Sequence, residues 1–500
     1  MASPRKSAGI VLTRRVGVEA EVYLVRRADA LRFFGGFFAF PGGVLDAAEA
    51  SSDADADTAY QRCAARELFE ETGVLLMGHA RARGATDRSA LRRALIAGDL
   101  QPWLTLLDAE PRDATQTFQR VLEITTPAFS PVRYETIFYH AELPAGEAPE
   151  IWPGELVAGQ FIAPALALAE WRAGNMLIAP PVLLVLEMLA AHGVDAFARH
   201  ARAEGAELAA GKLHPVRYCP GIFTAPLTTR TRPPATTTNC FLVGAERIYI
   251  VDPGSDDPAE HERLDQRLAE YLRRGASLAG VLLTHHHPDH VAGVVRVCER
   301  YGLAVHAHSE TLLRLPHVAV KRHEVADGAE FELGAAPDGS PNWRLRALHT
   351  PGHARGHLAF VETRYQNAIV GDLLSTVSSI LIDPPEGHLR TYLHSLERLR
   401  ALDLRMLHPS HGPAVRDGRA LIDSFLAHRR AREDAIVAAL RAGPRSNAEL
   451  LAEAYADTPP QLMKLAERAL AAGLEKLVED GLVTEVRDRW RLLEKRDAPV

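Results

Sequence analysis

The stretch Leu283-Thr284-His285-His286-His287-Pro288-Asp289-His290 constrains this chain more than any other. An apolar β-type run, Gly280-Val281-Leu282-Leu283-Thr284, leads straight into H-x-H-x-D-H, so three imidazoles and a carboxylate crowd into one strand-to-helix loop. Neutral imidazole nitrogen and carboxylate oxygen are standard ligands of zinc and similar divalent ions. Pro288 stiffens the turn, and His286, between two candidate ligands, is expected to point away. Three further elements follow at the ends of expected strands: Thr350-Pro351-Gly352-His353, Gly371-Asp372, and Pro409-Ser410-His411-Gly412-Pro413.

The order and spacing of these motifs resemble the metallo-β-lactamase superfamily. The resemblance implies an αββα sandwich whose loops meet at one edge. It implies that His285, His287 and His353 hold one metal, that Asp289, His290 and His411 hold a second, and that Asp372 bridges them. Two divalent metals are implied, zinc with iron or manganese as alternatives. Such ions sit about 3.5 to 4 Å apart and share a water that becomes the hydroxide nucleophile. Asp289 would also be catalytic by orienting it. Asp252, in Val251-Asp252-Pro253-Gly254, and His357, in His353-Ala354-Arg355-Gly356-His357, match positions that support ligands rather than bind metal.

Five hundred residues imply two or three cores. The patterns divide the chain into an α/β domain over 1–195, a linker over 196–215 that is Ala-rich and charged, a second α/β domain over 216–430, and a helical region over 431–500. The last ends in Leu474 to Glu479, Gly481 and a β-like stretch Leu482 to Val486, the order of a winged helix. The fold class is therefore multidomain α/β and α+β. This tail, with His428-Arg429-Arg430, resembles the superfamily branch that contains a mitochondrial single-strand endoribonuclease and fungal acyl-carrier thioesterases.

A hydrophobic fraction of 47% and a charged fraction of 24% are ordinary for soluble globular proteins, and no uninterrupted apolar run is long enough to span a bilayer. Cys63, Cys219, Cys240 and Cys298 lie far apart, which argues against a disulfide framework and a Cys-rich zinc site. The expectation is a cytoplasmic protein with no membrane partner. A net charge of -7 gives no global pull toward RNA, so an RNA partner is not favoured by charge. Arg441, Lys464, Arg487, Arg489 and Arg491 near the C-terminus are balanced by Glu449, Glu453, Glu475, Glu479 and Asp480. A monomer and a homodimer both fit the sequence.

A second signal lies in the N-terminal domain. Arg66-Glu67-Leu68-Phe69-Glu70-Glu71-Thr72-Gly73-Val74 closes an amphipathic helical stretch from Tyr60 to Thr72. Glu67, Glu70 and Glu71 stand at i, i+3 and i+4 on one helix face, where carboxylates can bind a hard cation together with substrate phosphates. With Phe40-Pro41-Gly42-Gly43 and Glu49 upstream, the segment resembles the Nudix box of hydrolases acting on nucleoside diphosphates linked to another group. That implies an α/β/α sandwich and magnesium or manganese, with the three glutamates as metal-binding and catalytic residues. Residues 50 to 65 make the spacer longer than the family's, and Ser51 to Asp57 reads as a loop inserted before the helix.

Arg27-Ala28, Arg32, Gly36 and the Phe40 to Gly43 run resemble the pattern of coenzyme A diphosphatases, although Tyr23-Leu24-Val25 replaces its usual opening. Arg27, Arg32 and Arg66 are the substrate-binding candidates, since guanidinium forks suit phosphate oxygens. The sequence therefore points to a hydrolase with two centres. One cleaves an ester, thioester or phosphodiester, and the other, magnesium-dependent, cleaves a coenzyme A-like diphosphate. The expected partner is a small molecule such as acyl-coenzyme A or a nucleotide derivative. The alternative is an endoribonuclease processing single-strand RNA, whose Nudix domain binds a nucleotide or regulates.

Overall fold

The computed structural model describes residues 3–17, 19–31, 34–49, 56–76, 87–108, 118–316 and 318–493. The chain divides into two compact units, 1–223 and 224–500.

In the first unit the strand Arg5–Val16 is central. It pairs antiparallel with Glu19–Arg27 and Gly42–Val44, and parallel with Tyr134–Glu142. Side chains alternate across a strand. Ile10 and Leu12 accordingly pack with Leu68 and Phe69 of the helix Ala56–Thr72, while Val11 joins Val182, Leu183 and Leu186 of the helix Pro180–Ala209 on the other face. Helices on both faces of a mixed sheet make the expected α/β/α sandwich. Of the expected inserted loop, residues 51–55 lie outside the described residues, and the helix has begun by Ala56.

The stretch expected to act as a linker belongs to this core. Phe197, Ala198, Ala201 and Leu208 are buried in the same cluster as Leu183, beyond a kink at Gly193 where φ is 69°. Although no apolar run is uninterrupted, Pro180–Ala209 is long and apolar enough on average to cross a membrane. Half of its most apolar window is buried within the protein.

In the second unit, one sheet runs from Arg322–Glu324 through Val305–Ala307, Ser277–Leu282, Arg247–Val251 and Thr237–Val243 to Ile222–Thr228. The other runs from Glu330–Gly334 through Trp343–His349, Leu358–Glu362 and Asn367–Gly371 to Met406–Pro409. The sheets pack face to face through pairs such as Tyr249 with Phe331 and Phe241 with His408. Tyr392, Leu396, Ile422 and Leu426, on the helices Leu389–Arg400 and Gly418–Arg441, cover the outer face of the second sheet. Asn447–Ala454, Met463–Glu479 and the hairpin Val483–Val486 with Arg489–Leu492 complete the winged-helix order. Their core holds Ile436, Leu450, Leu470, Leu474 and Val483.

One side chain fastens the two sheets at the edge that matters. The buried Asn239 donates through Nδ2 to the carbonyls of Pro409 (2.9 Å) and Gly412 (2.8 Å), and its backbone N–H donates to Ser410 (2.8 Å). Asn239→Ala would remove the side-chain donor from both buried carbonyls. It is expected to lower stability by about 2 to 3 kcal/mol, read as a lower denaturant midpoint at unchanged slope. A loss under about 0.5 kcal/mol would contradict the role assigned to this side chain.

Candidate metal centre and glutamate site

The His-rich loop begins where the strand Ser277–Leu282 ends, and Asp252 ends the parallel neighbour Arg247–Val251. Asp252 is fully buried, and its φ of 51° turns the chain sharply at Pro253. Its carboxylate accepts from the Thr284 N–H (2.8 Å) and hydroxyl (2.6 Å), and bonds His290 Nδ1 (2.8 Å). An acceptor at Nδ1 puts the proton there and leaves Nε2 as the inward atom. The Thr284 hydroxyl, already donating, accepts from His285 Nδ1 (3.0 Å), so His285 also faces inward through Nε2. Gly254 lets the two loops touch, because a Cβ there would lie 1.8 Å from the Asp289 carbonyl oxygen.

The other loops follow the same logic. His353 Nδ1 donates to the Leu381 carbonyl (2.9 Å) and His411 Nδ1 to that of Thr237 (3.1 Å). Gly352, at φ 133°, packs directly on the backbone of Tyr392, whose Cα would be 2.3 Å from any Cβ there. His287 faces the cluster through Nδ1, 2.9 Å from His285 Nε2 and 3.0 Å from His353 Nε2. Asp372 lies between two groups: Oδ2 is 3.6 Å from His353 Nε2, while Oδ1 is 3.3 Å from His411 Nε2 and 3.6 Å from His290 Nε2. Asp289 Oδ2 is 3.6 Å from His411 Nε2 and 3.7 Å from His290 Nε2, and it accepts from the Thr238 hydroxyl at 3.1 Å.

Three triads therefore have donor atoms within 4.8 Å of one another: His285/His287/His353, His285/His290/Asp372 and Asp289/His290/His411. Imidazole lone pairs at 2.9 to 3.0 Å repel unless a cation or proton lies among them. Zinc with nitrogen ligands at about 2.0 to 2.1 Å spaces the nitrogens of a tetrahedral site by about 3.3 Å, close to what is seen. His290 Nε2 and Asp372 Oδ1 are buried without a hydrogen-bond partner among the described residues, as atoms waiting for a ligand bond would be. The donor set fits divalent metal.

Electrostatics divides the two ends. Burial and the neighbouring imidazoles of His353 and His286 push His287 down to about 2, and burial likewise drives His285 well down and lowers His353. At the other end burial is outweighed: Asp289, Asp372 and Asp252 raise His290 well above the usual histidine range, and Asp372 raises His411. Asp372 is held well below the carboxylate range by His411 and His290 despite its burial. One end is thus a neutral nitrogen set and the other a carboxylate-rich one.

His357 lies behind Asp372. Its Nε2 accepts from the Asp372 N–H (3.1 Å), so its proton is on Nδ1 and goes to the Thr350 hydroxyl (2.9 Å). His286 joins none of the triads. Thr284, Thr237 and Thr238 set tautomers or hold a carboxylate here, and of these Thr284 belongs to the His-rich motif itself.

In the first unit the helix Ala56–Thr72 presents its glutamates around Arg66, which is 7% exposed. Arg66 Nε lies 2.7 Å from Glu49 Oε1, and Nη1 lies 2.9 Å from Glu67 Oε1 and 3.2 Å from Glu70 Oε2. Nη2 donates to the Val44 carbonyl (2.9 Å). Arg66, expected to contact substrate, thus has its donors on the protein's own acceptors. Gly43 approaches so closely that a Cβ would be 2.3 Å from Glu67 Oε1. Glu71 Oε2 accepts from the Gly42 N–H (3.0 Å). The Gly43-Glu49-Arg66 register therefore survives the longer spacer. Burial pushes Glu67 up to about 7, and burial with the charge of Glu67 pushes Glu71 well up. Among the described residues, these glutamates do not form a convergent triad of the kind in the second unit.

Arg27 ends the strand Glu19–Arg27, where its charge counters the rise at Glu71. Arg32 lies outside the described residues. Arg92 had no sequence signal, yet it is buried under the helix end. It donates to the carbonyls of Glu70 (2.8 Å), Glu71 (2.7 Å) and Glu150 (2.9 Å) and lies over the Trp152 ring.

Comparison with known proteins agrees with this architecture. Residues 233–411 match the metallo-beta-lactamase superfamily, 446–490 the beta-lactamase associated winged helix domain, and 3–95 the NUDIX domain. The chain is 32% identical over 273 residues to the lactamase-like protein notP of Aspergillus sp. (strain MF297-2), covering 50% of this chain and 78% of that protein. It is 27% identical over 263 residues to the atrochrysone carboxyl ACP thioesterase nsrC of Aspergillus novofumigatus, covering 49% and 75%. A metallo-beta-lactamase family protein of Thermus thermophilus, known from a crystal structure, is 26% identical with a TM-score of 0.45, covering 55% of this chain and 99% of that one. The chain belongs to the metallo-beta-lactamase superfamily, with a NUDIX domain ahead of that region and a beta-lactamase associated winged helix domain after it.

Proposed function

We propose that this hydrolase carries two centres, one at the His/Asp cluster for an acyl thioester and one at the Nudix glutamates for a coenzyme A-like diphosphate. The observation that carries the first is Asp372, whose two oxygens face two different groups of imidazoles. His285, His287 and His353 would hold one ion, and Asp289, His290 and His411 the other, with Asp372 shared. Zinc suits these donors, with iron or manganese as alternatives. When bound, such a pair supplies Lewis acidity and an activated water. The chain's own part is orientation. Thr238 holds the Asp289 carboxylate, Asp252 fixes His290, and His357 fixes the backbone of Asp372.

A thioester is favoured over an ester or phosphodiester because relatives of this region are named acyl-carrier-protein thioesterases. Both centres would then serve coenzyme A chemistry. At the Nudix centre, Glu67, Glu70 and Glu71 would hold magnesium or manganese and act in catalysis, Arg66 would space the glutamates, and Arg27 and Arg32 would meet substrate phosphates. RNA is the less favoured substrate. Several basic residues of the C-terminal region are paired with acids, among them Arg489 with Glu449, Arg445 with Glu453 and Lys476 with Glu433, whereas an RNA-binding face is normally net basic. Four free, buried cysteines suit a reducing cytoplasm.

Two measurements test this reading. After zinc saturation and removal of excess, elemental analysis is expected to find two equivalents in the wild type and at least one fewer in Asp372→Ala; equal loading of the two would contradict a shared carboxylate. Next, purified protein is offered acyl-coenzyme A, free coenzyme A and single-stranded RNA. Asp372→Ala is expected to lower acyl-coenzyme A hydrolysis by at least about 100-fold while sparing coenzyme A cleavage, and Glu70→Gln to do the reverse. RNA cleaved in an Asp372-dependent way, with acyl-coenzyme A untouched, would replace the thioester by a phosphodiester. No substrate responding to Glu70→Gln would make the Nudix region non-catalytic.

A further inference from the structure

Arg429 lies in neither of the flanking matched segments, which end at 411 and resume at 446. It sits on the helix Gly418–Arg441 and is only 7% exposed. Burying a guanidinium is costly, and an apolar side chain of similar size would often serve stability as well. Its surroundings supply a reason for a charge here. Arg429 Nη2 donates to the carbonyl of Ile380, and the next carbonyl along, that of Leu381, is the one that holds His353 Nδ1 at 2.9 Å. The guanidinium lies 5.5 Å from the ring centre of the fully buried Tyr392. Tyr392 in turn donates through its hydroxyl to the carbonyl of Leu373 (2.9 Å), the residue after Asp372. The backbone of Tyr392 is also what Gly352, the residue before His353, packs against. Each contact of this pair is therefore one residue away from something that sets His353 or Asp372.

The loop is gripped from the C-terminal region at further points. Arg468 on the helix Met463–Glu479 pairs with Asp383, and Glu479 bonds both His388 (2.8 Å) and Arg390 (2.8 Å). Only Arg429 among these reaches the buried segment next to the cluster.

We propose that Arg429 is a positioning residue of the metal centre, fixing the spacing of His353 and Asp372 through Tyr392 and the segment from Leu373 to Leu381. The long helix Gly418–Arg441 on the outer face of the second sheet is thereby part of the centre. This rests on the reading of the cluster as a two-metal site.

The test uses the full chain loaded with zinc and titrated with a chelator, alongside cobalt-substituted protein for its visible spectrum and circular dichroism for folding. The variants are Arg429→Met, Arg429→Lys and Tyr392→Phe. Arg430→Ala is the control, since that side chain is 69% exposed on the same helix. Arg429→Met is expected to release metal at about tenfold lower chelator, with an altered cobalt spectrum and native circular dichroism. Arg429→Lys should restore part of the difference, Tyr392→Phe should shift in the same direction, and Arg430→Ala should match wild type. Chelator midpoints within about twofold of wild type and an unchanged spectrum would overturn the proposal. Should Arg429→Met fail to fold, unchanged Arg429→Lys and Tyr392→Phe would equally overturn it. Wild type binding fewer than two metals overturns the two-metal reading and this inference together, whereas normal wild type with unaffected variants overturns this inference alone.

Discussion

The carboxylate of Asp372 faces His353 with one oxygen and His290 and His411 with the other, and much of the second unit exists to keep it there. A buried carboxylate among imidazoles is stable only if the surrounding protons are fixed. Here they are fixed from outside. Asp252, Thr284 and the carbonyls of Leu381 and Thr237 each engage an Nδ1 and so turn an Nε2 inward. The strand ends bring these partners into place, and close backbone approaches at Gly254 and Gly352 let the loops meet. The fold is thus a way of setting tautomers as much as of gathering ligands.

The first unit solves a related problem differently. Its glutamates crowd on one helix face, and a guanidinium, Arg66, separates them while pairing with the buried Glu49. Arg92 holds the carbonyls of Glu70 and Glu71 at the end of that helix. A charged spacer in place of converging donors leaves the carboxylates near one another without forming a closed triad among the described residues. Hard cations, which keep waters and take substrate oxygens, tolerate such an open arrangement better than zinc does.

The parts of this design that were legible in sequence are those written in side chains close together or at strand ends. His285 to His290 could be read because an apolar run stops one residue before the ligands begin, and Glu67, Glu70 and Glu71 because helical spacing puts them on one face. The spacer after Glu49 is longer than the family's, yet the Glu49–Arg66 ion pair closes across it. What sequence could not disclose are partners that act through the backbone or across long separations. The carbonyls of Leu381 and Thr237 carry no residue signature, Asn239 and Arg92 look like ordinary surface or helix residues until the chain folds around them, and the His428-Arg429-Arg430 run does not itself disclose that Arg429 reaches the Ile380 carbonyl. Residues 196–215 illustrate the same limit, since an Ala-rich charged stretch turned out to bury Phe197 and Leu208. Spacing alone did not reveal that face.

The most direct test of a centre built around Asp372 is anomalous diffraction from crystals of the zinc-loaded protein, collected on both sides of the zinc absorption edge. The account predicts two peaks, one among His285, His287 and His353 and one among Asp289, His290 and His411, with the Asp372 carboxylate between them. A single peak, or peaks away from these side chains, would contradict it.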